Sequence, residues 1–189
     1  MCKRKWLLWL GGALMLGGAA VLAWYSWALH ERDAAQRFAR ERLNRTTRVP
    51  HNEPPRPVRH GDVVGELDIP RLHVSVMVFE GDDAGVLRQG AGHIPGTALP
   101  ASDGNIGIAA HRDTYFRPLR IIHPNDVLML KTSAGTSRYA VTETKVVKPS
   151  DIDVLTAAPE RDLTLVTCYP FFYIGSAPER FIVHARKIG

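Results

Sequence analysis

The stretch LTLVTCYP, residues 163–170, combines a run typical of a β-strand with a potentially reactive side chain. Its Leu, Val and Thr residues are common in strands. Pro170 has no amide hydrogen to donate to a sheet, so the strand must end near it. The pattern therefore predicts that Cys168 lies at a rigid strand end and faces a loop. A lone cysteine is more often an inert core residue than a nucleophile, so this motif alone leaves both interpretations open.

Further short runs, apolar or alternating, follow Gly61 and are separated by clusters of Gly, Pro, Asn, Asp and Ser. They span residues 63–69, 72–79, 106–110, 127–131, 138–147 and 181–186. Together with the first stretch they predict an all-β fold, a closed or nearly closed barrel of seven or eight strands. Short helical turns are expected near residues 83–88 and 115–121. Within 138–147 the apolar face switches midway, which predicts a β-bulge.

A membrane anchor is predicted before the barrel. Residues 1–5 are short and basic, and the 24 residues of 6–29 carry no formal charge. About 20 apolar residues span a bilayer as a helix. Tryptophans near both ends of this segment suit the two membrane interfaces. The apolar run is longer than the usual core of a cleaved signal peptide, which favours an uncleaved transmembrane helix.

Two features of the sequence predict opposite orientations of this anchor in the membrane. Three basic residues precede the span, whereas six arginines follow it before residue 49. Because basic residues mark the cytoplasmic side, the count alone places the C-terminal side inside the cell. The chemistry described below favours the opposite orientation, a single-pass protein of the cytoplasmic membrane with its folded domain on the extracytoplasmic side. The two indications stay in conflict.

Residues 30–60 are expected to form a basic stalk and a linker. The part from 31 to 48 favours a helix with few apolar positions to bury, either a solvated stalk or a surface helix. Pro50, Pro54, Pro55 and Pro57 predict an extended, semi-rigid segment. The folded domain is therefore expected over residues 61–189.

Charge and cysteine usage exclude several classes of protein. Residues 1–60 carry 11 Lys and Arg against 4 Asp and Glu, whereas residues 61–189 carry 13 against 15. A nucleic-acid-binding domain concentrates basic charge on its folded part, so no nucleic acid is expected as a partner. The basic stalk instead suits anionic membrane lipid. With two cysteines in the chain, a disulfide-dense scaffold and a four-cysteine zinc site are excluded.

Two more residues at strand ends could act together with Cys168. His111 ends the run NIGIAAH, and a cysteine needs a nearby base or cation to reach the thiolate form. Arg180 opens the last strand, twelve residues after Cys168. There it would lie across the sheet from the cysteine and could donate to an oxyanion. The intervening loop has turn residues and aromatics suited to line a groove.

Three further residues are candidate substrate contacts. Thr167 and Tyr169 flank the cysteine, and His93 lies in a Gly-rich segment. His93 is also the main rival to His111 as the base. We prefer His111 because its position at a strand end mirrors that of Cys168. The histidines show no spacing typical of a metal site, so neither a metal nor another cofactor is expected.

These residues resemble the sortase family. Residues 164–168 fit its TLxTC motif, and HRDT at 111–114 is similar to the form found in class D sortases. Arg180 matches the arginine of the family's last strand. Including further family-like segments at 69–72, 90–93 and 147–151, the likeness covers about residues 62–188.

The sequence departs from the family pattern at two positions. Ala110 stands where a glycine often precedes the histidine, and His184 stands where the last strand often carries a basic residue. Neither position belongs to the set formed by cysteine, histidine and arginine.

The resemblance implies a membrane-anchored cysteine transpeptidase with a sortase-type barrel. A sorting signal similar to LPxTG or LPxTA would bind in the groove, and Cys168 would form a thioacyl intermediate with its threonine. His111 would move the proton and Arg180 would stabilise the oxyanion. The implied partners are secreted proteins with a C-terminal sorting signal and an amine acceptor from a cell-wall peptide or a protein. Calcium, which some classes use, is not expected because the sequence contains no compact acidic loop.

Three alternatives remain on the sequence. An L,D-type transpeptidase would place its cysteine in a Ser-x-Gly-Cys turn, which is missing around Cys168. A general hydrolase would need only water as acceptor. A membrane-tethered binding barrel without chemistry would keep its function when Cys168 or Arg180 is replaced.

Overall fold

The computed structural model of the protein describes residues 2–48, 57–100, 102–156 and 162–188. The chain divides into two compact units, Met1–Ala35 and Gln36–Gly189. Helix α1, Cys2–Arg48, begins in the first unit and ends in the second. Within the described part of the chain, no helix combines the length and hydrophobicity that a membrane span requires. The anchor at residues 6–29 therefore stays a prediction.

The second unit is a closed barrel of eight strands, which confirms the predicted all-β barrel. The strands are β1 Val63–Ile69, β2 Val74–Glu80, β3 Ala91–His93, β4 Asn105–Ala109, β5 Val127–Thr132, β6 Gly135–Val147, β7 Asp162–Tyr169 and β8 Glu179–Lys187. Their order around the barrel is β1-β2-β3-β4-β7-β8-β6-β5. The two predicted helical turns are present as helix α2, Ala84–Gln89, and a 3₁₀ turn, Arg117–Ile121. Two more 3₁₀ turns, Pro70–Leu72 and Ile152–Leu155, were not expected.

The pairing of the strands decides where reactive side chains can meet. Most neighbours are antiparallel, but β2 pairs with β3 and β4 pairs with β7 in parallel. Parallel neighbours end at the same edge of a sheet. The residues that follow β4 therefore come beside those that end β7, although more than fifty residues separate them in the sequence.

Alternating side chains fill the barrel interior, as expected for strands with one buried face. In β7, Leu163, Leu165 and Thr167 are buried, whereas Val166 and Cys168 on the opposite face are partly exposed. The best-enclosed members of the core come from nearly every strand: Leu67, Ile69, Val76, Val78, Ile106, Ile108, Leu128, Leu130, Leu163, Leu165 and Val183. Thr164 on that face is also buried, so only its C-terminal part, at Val166 and Cys168, is left open to form the floor of a site.

The bulge predicted in β6 is confirmed. The pairing of β6 with β8 shifts between Val141 and Glu143. Val141 is buried in the core and Glu143 is exposed, so the shift turns the polar second half of the strand toward solvent. The Thr142 hydroxyl donates to the His184 carbonyl oxygen at 3.1 Å across the shifted register.

Strand β3 is missing from the prediction because its sequence, AGH, looks like a Gly-rich loop. Gly92 is required there by a close backbone approach: a Cβ atom at this position would lie 2.1 Å from the Gly81 carbonyl oxygen. A glycine that signals a turn in the sequence is here the residue that allows two backbone segments to cross.

The compact unit begins at Gln36, well before the predicted domain start at Gly61. Residues 49–56 of the predicted linker lie outside the described residues. Ala39 and Leu43, spaced four residues apart on α1, are buried. They pack with Met77, Phe79 and Val86 in a second apolar cluster. Two apolar positions are therefore enough to dock this part of the helix, which the prediction treated as a stalk or surface helix.

Polar side chains of α1 complete this docking. Among the described strands, β2 pairs with β3 only from Val78 onward, so the preceding residues of β2 form an open edge. The Met77 amide on that edge donates to the Gln36 Oε1 at 2.8 Å, and the Gln36 Nε2 donates to the Gln89 carbonyl oxygen at 2.6 Å. Arg40 forms an ion pair with Glu66 and donates to the Ser75 hydroxyl at 3.0 Å. Helix α1 thus satisfies backbone groups that the sheet leaves unpaired.

Candidate active site

Cys168 and Arg180 face each other across neighbouring strands. In the antiparallel pair of β7 and β8, Cys168 lies directly opposite Arg180. Opposite residues on adjacent strands have their Cβ atoms about 5 Å apart and point to the same face. Cys168 is partly exposed, so its thiol is not sealed in the barrel core. The cysteine therefore lies at a strand end and opposite the arginine, as the sequence predicts.

His111 follows β4, at the level of the sheet where Cys168 lies on β7. The register of β4 and β7 pairs Ala109 with Val166, and the Ala110 amide donates to the Val166 carbonyl oxygen at 3.2 Å. Two residues beyond this pair in each strand are His111 and Cys168. The parallel pairing therefore brings the imidazole and the thiol to the same edge.

The turn after His111 is fixed by the core. The amide of Phe116 donates to the His111 carbonyl oxygen at 3.1 Å. The Phe116 side chain is fully buried in the main core. Since both ends of this short segment are anchored, the position of His111 follows from the fold rather than from a flexible loop.

All three residues line one groove. Its volume is ≈ 330 Å³, and it lies over the outer face of β4, β7 and β8. Val166 and Ile182 contribute to its apolar floor, beside Cys168 and Arg180. Leu87 of α2 and Ile94 add further apolar lining. A groove of this kind can hold an extended, mainly apolar peptide next to a few convergent polar groups.

The connection between β6 and β7 supplies the rest of the lining. Ile152, Val154 and Leu155, in and beside a 3₁₀ turn, contribute apolar side chains to the groove. The Lys148 amide donates to the Asp151 Oδ2 at 3.1 Å and thereby shapes the start of this segment. The sequence analysis noted residues 147–151 as a family-like segment but missed the three apolar residues that follow. Their signal is a cluster of three large apolar side chains directly after the run KPSD at 148–151.

The guanidinium of Arg180 is held by the chain that precedes it. Its Nη1 donates to the carbonyl oxygens of Glu179 at 2.9 Å and Ala177 at 3.3 Å. These two bonds use one of the terminal nitrogens. The guanidinium has further N–H donors with which it can bind an acyl oxygen in the groove.

Arg112, the residue after His111, reaches the loop between β7 and β8. Its Nη2 donates to the carbonyl oxygens of Tyr173 at 2.6 Å and Gly175 at 3.1 Å. Its guanidinium carbon lies 5.9 Å from the centroid of the Tyr173 ring. Apart from the HRDT motif itself, no pattern in the sequence predicts this contact.

Thr167 lines the groove, but its hydroxyl is used inside the protein. The side chain is buried, and its Oγ1 donates to the Ala110 carbonyl oxygen at 2.7 Å. This bond joins the ends of β4 and β7 immediately before His111 and Cys168. Thr167 therefore contributes by fixing the distance between the two strand ends.

Tyr169 and His93 are not among the residues that line the groove with Cys168. Tyr169 packs against Phe171 and Phe181 and borders a second cavity, of which the cysteine is not part. The His93 side chain is buried, with its Nδ1 2.8 Å from the Glu80 Oε2 and its Nε2 3.0 Å from the Ala98 carbonyl oxygen. Both ring nitrogens of His93 are thus engaged in the fold. The roles of Tyr169 and His93 as substrate contacts stay predictions.

His184 lies on the same face of β8 as Arg180, farther from the strand end. Its Nδ1 is 3.1 Å from the Thr164 hydroxyl. Burial lowers the pKa of His184, and the positive charge of Lys145 lowers it further, while Glu143 and Asp162 act in the opposite direction. The neutral imidazole is therefore favoured at this position, which borders a different cavity from the one that holds Cys168. Among the described residues, no group of three or more His, Cys, Asp and Glu side chains is arranged to hold a metal ion.

A barrel whose adjacent strand ends present cysteine, histidine and arginine in one groove has the architecture of a cysteine acyl-transfer enzyme. Residues 67–188 match the family model described as "Sortase domain". The chain belongs to the sortase family and is most like its class D members.

Individual relatives agree with this assignment. The chain is 36% identical over 129 residues to Sortase D of Bacillus subtilis. The aligned region covers 68% of this chain and 65% of that protein. It is 35% identical over 141 residues to Sortase SrtE1 of Streptomyces coelicolor, covering 65% of this chain and 39% of that protein. The match thus spans about two thirds or less of the length of these relatives.

A solved structure described as a Clostridium perfringens Sortase D5 transpeptidase superposes with a TM-score of 0.72 and 27% identity. The superposition covers 82% of this chain and 99% of that one. The likeness therefore includes the whole barrel.

Proposed function

We propose that the protein is a sortase-type cysteine transpeptidase in which Cys168 is the nucleophile, His111 the proton carrier and Arg180 the oxyanion donor. One observation carries the proposal. The registers of the β4–β7 and β7–β8 pairs bring these three residues to one edge, where all three line the same groove.

The first half-reaction cleaves an amide bond. The thiolate of Cys168 attacks the carbonyl carbon of a threonine in the bound peptide, and the oxygen becomes negatively charged. Arg180 stabilises this charge by donating hydrogen bonds to it. The carbon–nitrogen bond then breaks, His111 gives a proton to the departing amine, and a thioester joins the acyl group to the Cys168 sulfur.

The second half-reaction reverses these roles. An incoming amine attacks the thioester carbonyl and loses its proton to His111. The carbon–sulfur bond breaks, the sulfur leaves as thiolate, and a new amide is formed. The chemistry uses the side chains of this chain alone and consumes no cofactor.

The substrate that suits this chemistry is a C-terminal sorting signal of the type LPxT(G/A). The apolar floor formed by Val166 and Ile182, with lining from Leu87 and Leu155, supports an apolar residue ahead of the cleaved bond. The acceptor is an amine of a cell-wall peptide or of another protein. The product would be a protein attached to the cell envelope or to a second protein.

We also propose that residues 6–29 anchor the protein in the cytoplasmic membrane, with the barrel on the extracytoplasmic side. The 24 uncharged residues of this segment support the proposal. Such an anchor would hold the groove where secreted substrates emerge. Full-length protein should remain with the membrane pellet after alkaline extraction, whereas a form lacking residues 1–29 should appear in the supernatant.

The test of the activity is to trap the thioester. The full-length protein is incubated with a peptide containing Leu-Pro-x-Thr-Ala, with and without an added amine, and the products are identified by mass spectrometry. We expect an acyl adduct on Cys168 and, with the amine present, a ligated peptide. Cys168→Ala should abolish both, while Cys2→Ala, the matched control for loss of a thiol, should retain both.

Two outcomes would contradict the proposal. Cleavage that incorporates water but never the added amine would indicate a hydrolase. Peptide binding that persists in Cys168→Ala, with no product from either protein, would indicate the non-catalytic binding barrel.

A further inference from the structure

The loop between β7 and β8 connects the two halves of the site. It begins after Tyr169, next to Cys168, and ends before Glu179, next to Arg180. A displacement of this loop would therefore act on both residues at once.

Core packing does not hold the middle of the loop. Phe171 packs against the main core, but the next residues turn outward. Phe172 is 76% exposed and Ile174 is 97% exposed. A segment with so little apolar burial is expected to be mobile unless polar contacts fix its backbone.

Arg112 supplies such contacts at the exposed part of the loop. Its Nη2 donates to the carbonyl oxygens of Tyr173 and Gly175, at 2.6 and 3.1 Å. Charged donors make stronger hydrogen bonds than neutral ones. The same guanidinium lies over the Tyr173 ring, so it meets this segment through both backbone and side chain.

The loop in turn orients Arg180. The carbonyl oxygens that accept from the Arg180 Nη1 belong to Ala177, near the C-terminal end of the loop, and to Glu179, the first residue of β8. Arg112 itself directly follows His111. A continuous chain of contacts therefore leads from the histidine segment, through Arg112 and the loop, to the guanidinium of Arg180.

We propose that Arg112 is a positioning residue, which fixes the β7–β8 loop so that Arg180 and Cys168 keep their alignment with His111. The proposal rests on the function proposed above. Arg112 is not among the residues that line the groove. It acts through the loop, by means of a guanidinium whose Nη2 donates to two carbonyl oxygens and which lies over the Tyr173 ring.

The experiment compares Arg112→Ala and Arg112→Lys with Arg120→Ala in the full-length protein. Arg120 is a matched control, because its guanidinium contacts the same loop only through the Phe172 ring, 5.6 Å from the ring centroid. Three quantities are measured: the steady-state constants with the Leu-Pro-x-Thr-Ala peptide, the amide hydrogen exchange of residues 171–178, and the melting temperature.

For Arg112→Ala we expect kcat to fall about 10-fold with KM changed less than about 2-fold, since misplacing a group that acts in the transition state lowers the rate more than binding. Exchange in the loop should accelerate while exchange in β4 and β7 does not. Arg112→Lys should retain the activity only in part, because a compact, strongly hydrated ammonium cannot stack on the Tyr173 ring as the planar guanidinium does. Arg120→Ala should stay close to the unmodified protein in all three measurements.

Two results would overturn the proposal. Unchanged exchange of residues 171–178 in Arg112→Ala would show that Arg112 does not hold the loop, whatever the activity. Faster exchange with unchanged kcat would show that the order of the loop is irrelevant to the reaction. Because exchange needs no substrate, an unmodified protein that is inactive on the peptide would be recognised separately as a failure of the proposed function, and the positioning role would fall with it.

Discussion

Two edges of the barrel are built in opposite ways. The groove edge consists of the strand ends that carry His111, Cys168 and Arg180, and it is organised by the register of neighbouring strands. The helix-covered edge is the first part of β2, and it is closed by Gln36 and neighbouring residues of α1. At the first edge polar side chains are left available in a groove, whereas at the second edge they are used to satisfy the backbone.

This difference separates chemistry from stability. The groove edge keeps a thiol and a guanidinium partly exposed, although side chains buried there would stabilise the fold more. The helix-covered edge buries Ala39 and Leu43 and joins α1 to the barrel by hydrogen bonds. Substitutions at the groove edge should therefore affect the rate, and substitutions at the helix-covered edge should affect unfolding.

The largest expected effect is that of Arg180→Ala on the rate. Loss of an oxyanion donor typically lowers kcat by about 100- to 1000-fold, and we expect a loss in this range. The melting temperature should change little, because the Arg180 side chain bonds only to nearby carbonyl oxygens of its own strand and loop. Peptide ligation kinetics and calorimetry measure the two quantities. A large fall in melting temperature without a loss of kcat would contradict the distinction between the edges.

Leu43→Ala should have the reverse signature. Leu43 is 4% exposed and packs with Met77 and Phe79, so its truncation should lower the free energy of unfolding by about 2–4 kcal/mol. The activity of the folded protein should remain within about 2-fold of the original, because Leu43 does not line the groove. Phe38→Ala, on the exposed face of the same helix, is the control that should leave stability unchanged within ~0.5 kcal/mol. Urea denaturation is the measurement, and equal stabilities of the two variants would show that α1 does not contribute through burial.

The two edges also differ in how far the sequence predicts them. The ends of β4 and β7 can be predicted from the sequence, because each strand has a local pattern and because Cys168 and His111 are residue types with recognisable chemistry. The docking of α1 depends on contacts between residues about forty apart, such as Gln36 with Met77, and no local pattern contains that information. Strand β3 was not predicted for a similar reason. Its glycine is required by a backbone segment that crosses it, and this contact cannot be inferred from the local propensity of the sequence.

Within the site, the sequence distinguishes residue types better than their environments. His111 and His93 both follow small residues, and only the structure shows that the His93 ring is enclosed by Glu80 and the Ala98 carbonyl group. Thr167 was expected to contact substrate, but its hydroxyl joins two strand ends. Such partners come from distant parts of the chain, which explains why residue identity could be predicted and side-chain role could not.

The smallest expected effect concerns pH and His184, four residues along β8 from Arg180. Burial lowers the pKa of His184, so the folded state binds a proton less readily than the unfolded state. Above the unfolded-state pKa of about 6.5 the ring is neutral in both states, and the contribution of His184 to the stability of the fold is complete. As the pH falls through that value, the unfolded state takes up the proton first and the stability decreases, until the folded state is also protonated below its own, lower pKa.

His184→Asn keeps a side-chain N–H that can reach the Thr164 hydroxyl but does not titrate. The variant should therefore lose less stability than the unmodified protein between about pH 7.5 and 5.5, by under about 1 kcal/mol because His184 is only half-buried. Glu143, Lys145 and Asp162 surround the ring in both proteins, so the difference between the two unfolding curves isolates the imidazole. Parallel curves over this range would mean that His184 is as easily protonated in the folded sheet as in the unfolded chain, so that burial in this part of β8 adds no sensitivity to acid.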